Sequence, residues 1–481
     1  MKQVTADVAI IAGGPAGLAA AVAAAENGVS VVVFEKSSVT GGCGNMAMGP
    51  FGVESRLQKK QIIGLTREEA FKIHMEYNHW IPDARLVRAF IDKSGSTIDW
   101  LEDMGVEFLL AARHFTTSQP TWHVIKTHGG AHGTGGLIFK ALTDRAAELG
   151  VEFYLNTPVK KIFKENGRVA GFLAEDGAGE TIQVNAKAVI VATGGFGGNA
   201  EMIKQYTGFE WGRDLFSFKI PGIDGDGLRM AWEAGAAKTR MLIEMYCATP
   251  NQDQHWYLDA VFRQPNLLVN LNGERFFNEE VMPNNTFAGN AIAGQKNRTA
   301  FMIIDQSIKK HYLKHGFDQI CYDIPLEDAG DFESELQIAV DEGSKDFFIA
   351  DSIEELAEKA GINVENLKTT VDEYNKACES RDTLFNKDYR FLKPIKKPKF
   401  YAGKLVPSGF GSLGGIKINY RAEVLDEEFE VMPGFYAAGT DANAIHSDSY
   451  TFMLPGNSMG FAINSGRIAG ESAAEYVESL E

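Results

Sequence analysis

The sequence predicts an α/β fold, and three observations carry that expectation. The first is the stretch "ADVAIIAGGPAGLAAAVAAAENGVSVVVFEK", residues 6–36, in which an apolar run, a glycine turn, an alanine-rich segment and a second apolar run follow one another. The second is a pair of later apolar runs that also end in glycine, "AKAVIVATGGFGGN" (186–199) and "GFYAAGTDANA" (434–444). The third is the helical periodicity of "DSIEELAEKAGINVENLKTTVDEYNKACES" (351–380), which lies between them in the chain.

Taken in order, Val8 to Ile11 reads as a strand, about Ala16 to Asn27 as a helix and Val31 to Phe34 as a second strand ending in Glu35. The turn matches G-x-G-x-x-G with Ala12, Gly14 and Gly17 in the glycine places. Gly14 lets the backbone approach a pyrophosphate at the helix N-terminus, and Gly17 lets helix and strand pack closely; Ala12 departs from the pattern at the turn-forming place. Glu35 stands 21 residues beyond Gly14, where an acid can accept hydrogen bonds from a ribose hydroxyl. This βαβ unit points to a bound dinucleotide, and "GGCGNMAMG" (41–49) extends the glycine-lined path as FAD, longer than NAD, could use.

Further along, Asp351 or Ser352 caps the first helix of the 351–380 stretch, and Gly361 breaks it from the second. "LKPIKKPKFY" (392–401) reads as an extended, proline-punctuated return path. Near the end, a Pro-Gly-Asn turn at Pro455–Asn457 feeds a helix that opens without an acidic or basic side chain.

Bulk properties exclude several classes. At 481 residues the chain suggests two or three units of roughly 100–200 residues each, with 44% hydrophobic and 23% charged residues in globular proportion. A net charge of −17 argues against nucleic acid and acidic membrane surfaces as partners. Cys43, Cys247, Cys321 and Cys378 are far apart and form no haem or iron–sulfur motif, and Cys43 reads as a packing residue. The first apolar run is broken by Gly13 and Gly14, no run is long enough to span a membrane, and a cytoplasmic location is expected. In "WHVIKTHGGAHGTGG" (122–136), the glycines around His123, His128 and His132 suggest a mobile loop near the substrate; no metal site is expected.

Three more stretches, "GIDGDGLRMAWEAGA" (222–236), "NLNGERFFNE" (270–279) and "SLGGIKIN" (412–419), join these in order over nearly the whole chain. Together they resemble the fumarate reductase/succinate dehydrogenase flavoprotein family, whose relatives include soluble fumarate reductases and 3-ketosteroid dehydrogenases. The resemblance implies a Rossmann-like FAD-binding domain, residues 1–243 and 411–481, interrupted by a smaller α+β capping domain, residues 244–410. It also implies that Gly14, Ala16, Gly17, Glu35 and Lys36 meet the ADP half of FAD. Gly41, Gly42, Asn45 and Gly49 would run beside the ribityl chain and ring, with Ala192, Thr193, Gly194 and Gly439 along the cofactor and Asp226 at a further contact. In the relatives' "AAGE" motif the Glu bonds the ribityl chain; here Thr440 stands in its place, and Asp441 beside it would substitute as the cofactor contact. The N–H groups of Asn457, Ser458 and Met459 would face the flavin pyrimidine, where the positive end of a helix dipole favours the charge of reduction. No His lies in 41–49, so the FAD is expected to be non-covalent.

The same resemblance shows what is missing. Dicarboxylate-reducing relatives bind and protonate with arginines and histidines; the corresponding places here hold Pro283, Met453, Phe262, Gly411 and Thr249, with Arg263 one place late. The ketone-binding Tyr of the ketosteroid enzymes corresponds to Phe452, with Gly456 retained. Two carboxylates left unpaired in a dry pocket would cost several kcal/mol, which argues against fumarate and for an apolar substrate. The remaining candidates for catalysis are Tyr450, His446, Arg263 and Tyr246, with Asp448 and Asp259 beside them. Each has an equally good structural reading: His446 and Tyr450 satisfying a buried loop, Arg263 in a surface ion pair. Arg275 reads as structural.

The expected activity is an FAD-dependent oxidation or reduction of a C–C bond next to a carbonyl in a largely apolar, non-dicarboxylate small molecule, with hydride moving through flavin N5. One dinucleotide fingerprint is visible, so the electron donor or acceptor should be external: a protein, a quinone or free flavin. The competing readings are an electron-relay subunit bound to a partner protein and a 3-ketosteroid-type enzyme.

Overall fold

The computed structural model describes residues 2–127, 134–217, 222–250, 254–319 and 328–480. The N-terminal unit forms as its pattern requires: strand β1 (Lys2–Ile11), helix α1 (Pro15–Glu26) and strand β2 (Val31–Phe34). The first strand starts six residues earlier than its apolar run, because its N-terminal half pairs with strand β3 (Thr181–Val191) from Lys2↔Ile182 onward. Helix α1 carries no charge before its last residue, Glu26, and is buried from Ala16 to Ala24, so alanine is its packing residue on every face.

β1 lies between β2 and β3, with Ile10 opposite Val33 on one side and Ile190 on the other, all parallel. Beyond β3 comes the strand Val431–Ala437, also parallel, and beyond β2 the strand Glu152–Tyr154, within an eight-stranded sheet. The two glycine turns foreseen at 192–195 and 439 follow β3 and Val431–Ala437 respectively, so they sit beside the α1 turn at the C-terminal edge of one parallel sheet. That edge is where open α/β sheets place their ligands.

A second, seven-stranded sheet is organised by one 16-residue strand, Phe400–Gly415. Its first half pairs with Ala300–Asp305 and Phe347–Ala350; its middle pairs with strand β4 (Leu242–Ala248), where Tyr246 faces Ser408; and its last two residues pair with Ala442 and Asn443. Two large apolar cores follow: one from residues 6–245 and 416–477, the other from residues 247–405. The long strand runs from the second core to the edge of the first.

The helices between 351 and 380 form as Ile353–Ala360 and Val364–Glu379, with Ser352 capping the first and Gly361 at φ +68° between them. The expected loop at 122–136 is corrected over 122–125, which is a strand paired with Phe108–Ala112. Within it His123 is fully buried against Ser55 Oγ at 2.7 Å. His128, His132 and Cys321 lie outside the described residues. Among the described residues no helix is long and apolar enough to cross a membrane, and no group of three acidic, His or Cys side chains could hold a metal.

Candidate active site

One wall of the site is made of backbone. Ala12 takes φ +83°, and a Cβ on Gly17 would lie 1.9 Å from the Ala12 carbonyl oxygen, so α1 starts in close contact with the turn. Gly14 has no side-chain cap for α1, and a Cβ there would meet only the Ala192 carbonyl at 3.9 Å. Gly42, at φ +49°, faces Gly14, and Gly194 meets nothing nearer than Ile223 at 3.8 Å. The result is an open cradle at the N-terminus of a helix with no charged residue in its first turn, whose first N–H groups have no side-chain cap among the described residues. Such a cradle fits a pyrophosphate.

The side chains around the cradle hold it in shape. Glu35 is buried, and its carboxylate accepts from Gly13 N–H at 2.8 Å and Ser37 N–H at 2.7 Å. Lys36 Nζ pairs with Asp226 at 2.8 Å and Asp224 at 3.1 Å, and Asp226 also pairs with Arg229 at 2.7 Å. Asn45 Nδ2 donates to the Thr40 carbonyl, and its side chain lies against Gly41. Gly49 lies against the His123 carbonyl, where a Cβ would come within 1.9 Å. Gly439 donates its N–H to Ser465 Oγ beside Ala16. Asp441 is fully buried and accepts from the Thr193 hydroxyl at 2.8 Å, from Gly195 N–H at 2.8 Å and from Thr193 N–H. Its carboxylate therefore fixes the Ala192–Gly195 turn, and that is the place in the site the structure gives it.

The opposite wall is aromatic. Phe115, Tyr246, Ala248, Tyr450 and Phe452 are buried together, with Phe410 and Met453 packed against them. Ring centroids are 5.2 Å apart for Tyr246–Phe410, 5.6 Å for Phe410–Tyr450 and 4.7 Å for Tyr450–Phe452, and His114 stacks on Phe452 at 4.8 Å. Three of the places where a dicarboxylate site would carry charge, Gly411, Met453 and Thr249, fall on the segments that build this wall. Thr249 itself is turned to Asp259, donating from N–H and hydroxyl.

Both walls touch helix α2 (Asn457–Glu478), Tyr450 at Ser458 in its first turn and Gly439 at Ala462 further along; its N-cap is Gly456 at φ +90° with no capping side chain. The Tyr450 hydroxyl accepts from Ser458 N–H at 3.4 Å and faces the N–H groups of Gly456 and Asn457. Burial raises its pKa and those N–H groups oppose the rise. His446 is buried with its Nδ1 at 3.2 Å from Thr451 Oγ1, its ring 5.2 Å from Tyr450 and 5.3 Å from His74. Burial and the neighbouring His74 hold His446 well below the usual imidazole range, so it is neutral.

Arg263 requires a correction. Its side chain is buried, not at the surface: Nε donates to Asp259 at 2.8 Å, and a terminal nitrogen reaches Asn285 at 3.3 Å. The ion pair lies under the aromatic wall and is already neutralised. Arg275 is bound as expected, between Glu279 at 2.7 Å and Asp382 at 3.0 Å.

Sequence reasoning missed Glu244. It sits in β4, fully buried; Oε1 accepts from Asn443 Nδ2 at 3.0 Å, and Oε2 has no hydrogen-bond partner. Burial pushes its carboxyl up to about 7, against the opposing pull of Ser458 and Asn443. The available signal was a single acid inside the apolar run "LIEMYCA".

A family model described as an FAD binding domain matches residues 7–459. The vinyl phenol reductase of Lactiplantibacillus plantarum is 33% identical over 98% of this chain and 96% of its own. The fumarate reductase (cytochrome) of Shewanella frigidimarina is 29% identical over 98% of this chain and 77% of its own. The chain belongs to the fumarate reductase/succinate dehydrogenase flavoprotein family. Among solved structures, the 3-ketosteroid-delta4-(5alpha)-dehydrogenase from Rhodococcus jostii RHA1 in complex with 4-androstene-3,17-dione superposes with a TM-score of 0.77, at 25% identity and 98% coverage of both chains. The protein is thus an FAD-dependent oxidoreductase acting on carbon–carbon bonds, and the family's glycine-lined cradle is the wall that its members' shared cofactor needs.

Proposed function

We propose that this flavoprotein adds two hydrogens across a carbon–carbon double bond conjugated to a carbonyl or an aromatic ring, in a largely apolar substrate without a dicarboxylate. The observation that carries the reading is the aromatic wall closed around the uncharged α2 N-terminus, with the Tyr450 hydroxyl at their junction. Such a wall suits a planar conjugated molecule and offers nothing to two carboxylates. The similarity to a protein whose name assigns it a vinyl phenol adds support, since that substrate is an aryl alkene.

Residues 1–243 and 411–481 would hold a non-covalent FAD, and residues 244–410 would cap it. Gly14, Ala16 and Gly17 would receive the pyrophosphate, Glu35 and Lys36 the adenosine end, and Asn457, Ser458 and Met459 the flavin pyrimidine. When bound, FAD supplies a hydride from N5. Tyr450 donates the proton to the other alkene carbon, held in place by the helix N–H groups and by Phe410 and Phe452. His446, neutral and buried, orients the Tyr450 loop; Tyr246 packs against the substrate; Arg263 supports the wall from beneath. Electrons come from an external donor: a protein, a quinone or free reduced flavin.

The test is anaerobic. FAD-loaded protein reduced with dithionite is mixed with a 4-vinylphenol, an aryl enone or fumarate. Rapid reoxidation by the first two and not by fumarate is expected. Rapid fumarate turnover would sink the substrate class, and reoxidation by a partner protein but by no alkene would favour the relay.

A further inference from the structure

Reduction of an alkene consumes two electrons and two protons. A hydride carries both electrons and one proton, so an acid must supply the other. If Tyr450 is that acid, its phenolate must be reprotonated inside a buried site before the next turnover. Glu244 stands where such a proton can be stored. Its side chain is fully buried, Oε1 accepts from Asn443, Oε2 has no partner at hydrogen-bond geometry, and the Ser458 side chain lies close enough to favour the charged form. Oε2 points at Gly411: a Cβ there would lie 2.8 Å away, so the missing side chain leaves the space the carboxyl fills. No ion pair forms with Glu244 among the described residues.

The titratable groups that face it are Tyr450, from the loop before α2, and Cys43, from the turn Gly42–Met46. Asn443 and Ser458 contribute neutral dipoles, and the strand Phe400–Gly415 contributes glycine. A buried carboxyl without a counter-charge binds a proton more tightly as soon as negative charge arrives beside it. Its resting value of about 7 places that change at neutral pH.

We propose that Glu244 is a positioning residue that takes up the second proton as the electron pair enters the site and returns it to Tyr450 during alkene reduction. The proposal rests on Tyr450 as the acid. Bound FAD would supply the hydride to one alkene carbon, its electron pair and one proton coming from an external two-electron donor of the reduced-flavin class; the Glu244 carboxylate would take the second proton, drawn ultimately from solvent, and the Tyr450 O–H proton would go to the other alkene carbon. The Glu244 O–H reprotonates the phenolate, and the carboxylate is restored. The donor has lost two electrons and the alkene has gained two hydrogens.

The experiment measures the midpoint potential of the FAD-loaded full chain against pH, for the native protein and Glu244→Gln, with flavin content as the folding control. Above about pH 7 the native potential should fall more steeply with pH than that of the variant. The difference expected is one proton per electron pair, a tenfold change per pH unit or about 30 mV for a two-electron couple. Parallel slopes would overturn the proposal. Independently of any variant, a reduced-minus-oxidised infrared spectrum of the native protein should gain a protonated-carboxyl band that shifts in heavy water; no such band would also overturn it. Full turnover in Tyr450→Phe would remove the acid assignment, and the potential slopes would still decide whether Glu244 takes up a proton on reduction.

Discussion

The two walls of the site are built from different materials. On the proposed cofactor side the available groups are backbone N–H and the absence of Cβ at Gly14, Gly42 and Gly194, and the side chains there, Glu35 and Asp441, are turned inward to hold the turns. On the proposed substrate side the available groups are side chains, Tyr246, Phe410, Tyr450 and Phe452, and the backbone only carries them. A wall of backbone tolerates little substitution and recognises what the whole family shares. A wall of side chains can be repainted without moving the fold, and on the proposed reading it would set which substrate is accepted.

The largest separation of the two walls should come from Tyr450→Phe. Loss of a positioned general acid typically lowers turnover by about 10²–10⁴-fold. The ring and its packing remain, so flavin content and reduction by dithionite should match the native protein while alkene-dependent reoxidation collapses. If flavin content fell in parallel, Tyr450 would belong to the cofactor wall.

Glu244 links the walls, and its charge state should be visible in stability even without cofactor. Its folded pKa is raised from 4.5 to about 7 by burial, so the folded chain holds the proton more tightly than the unfolded one. The stability this contributes is present below pH 4.5 and is lost as pH rises through about 7, with a ceiling of about 3 kcal/mol. His74 and His123, both depressed to about 4 by burial, act oppositely: their contribution is present above pH 6.5 and lost as pH falls toward 4. Urea midpoints of native and Glu244→Gln protein, compared across this range, cancel the histidines. The variant should gain relative stability as pH rises, and a constant difference would count against a titrating Glu244.

On the cofactor wall, Gly17→Ala should cost about 1–3 kcal/mol, the usual range for overpacking, because its Cβ would sit 1.9 Å from a carbonyl that cannot swing away. Flavin retention should fall with it, since the α1 N-terminus must move. An unchanged flavin content would mean that the cradle tolerates a displaced helix.

The glycine cradle was legible in the sequence as structure because its requirements are local. A strand, a glycine at the crowded position and an acid after the second strand lie within 36 residues, and α1 was located to within one residue at each end. The helices at 353–379 were legible for the same reason, through Ser352 and Gly361. Arg263 was not: an Asp259–Arg263 pair four residues apart on a helix looks like a surface pair, and only the packing of Cys247 and Asn285 over it makes it buried. Glu244 escaped because strand alternation gives a face but not the partner opposite, and here the partner is an empty place at Gly411. The N-terminal half of β1 escaped because only pairing with residues 182–186 makes it a strand.

The smallest effect belongs to Ala12, the one place where the glycine pattern is broken. At φ +83° an alanine is strained by roughly 1–2 kcal/mol, because Cβ is forced toward the following carbonyl. Glycine would relieve that, but it would also restore about 0.5–1 kcal/mol of conformational entropy to the unfolded chain. Ala12 is only half-buried, so removing its methyl leaves little cavity to add to the cost. Relief exceeds entropy, and Ala12→Gly should stabilise the protein by up to about 1 kcal/mol, read as a higher urea midpoint at unchanged slope. Because Ala12 N–H still donates to the Phe34 carbonyl at 2.8 Å, the turn should keep its shape and flavin retention should not change. A destabilised variant would mean that the methyl group makes a contact on the cofactor wall that outweighs the backbone strain.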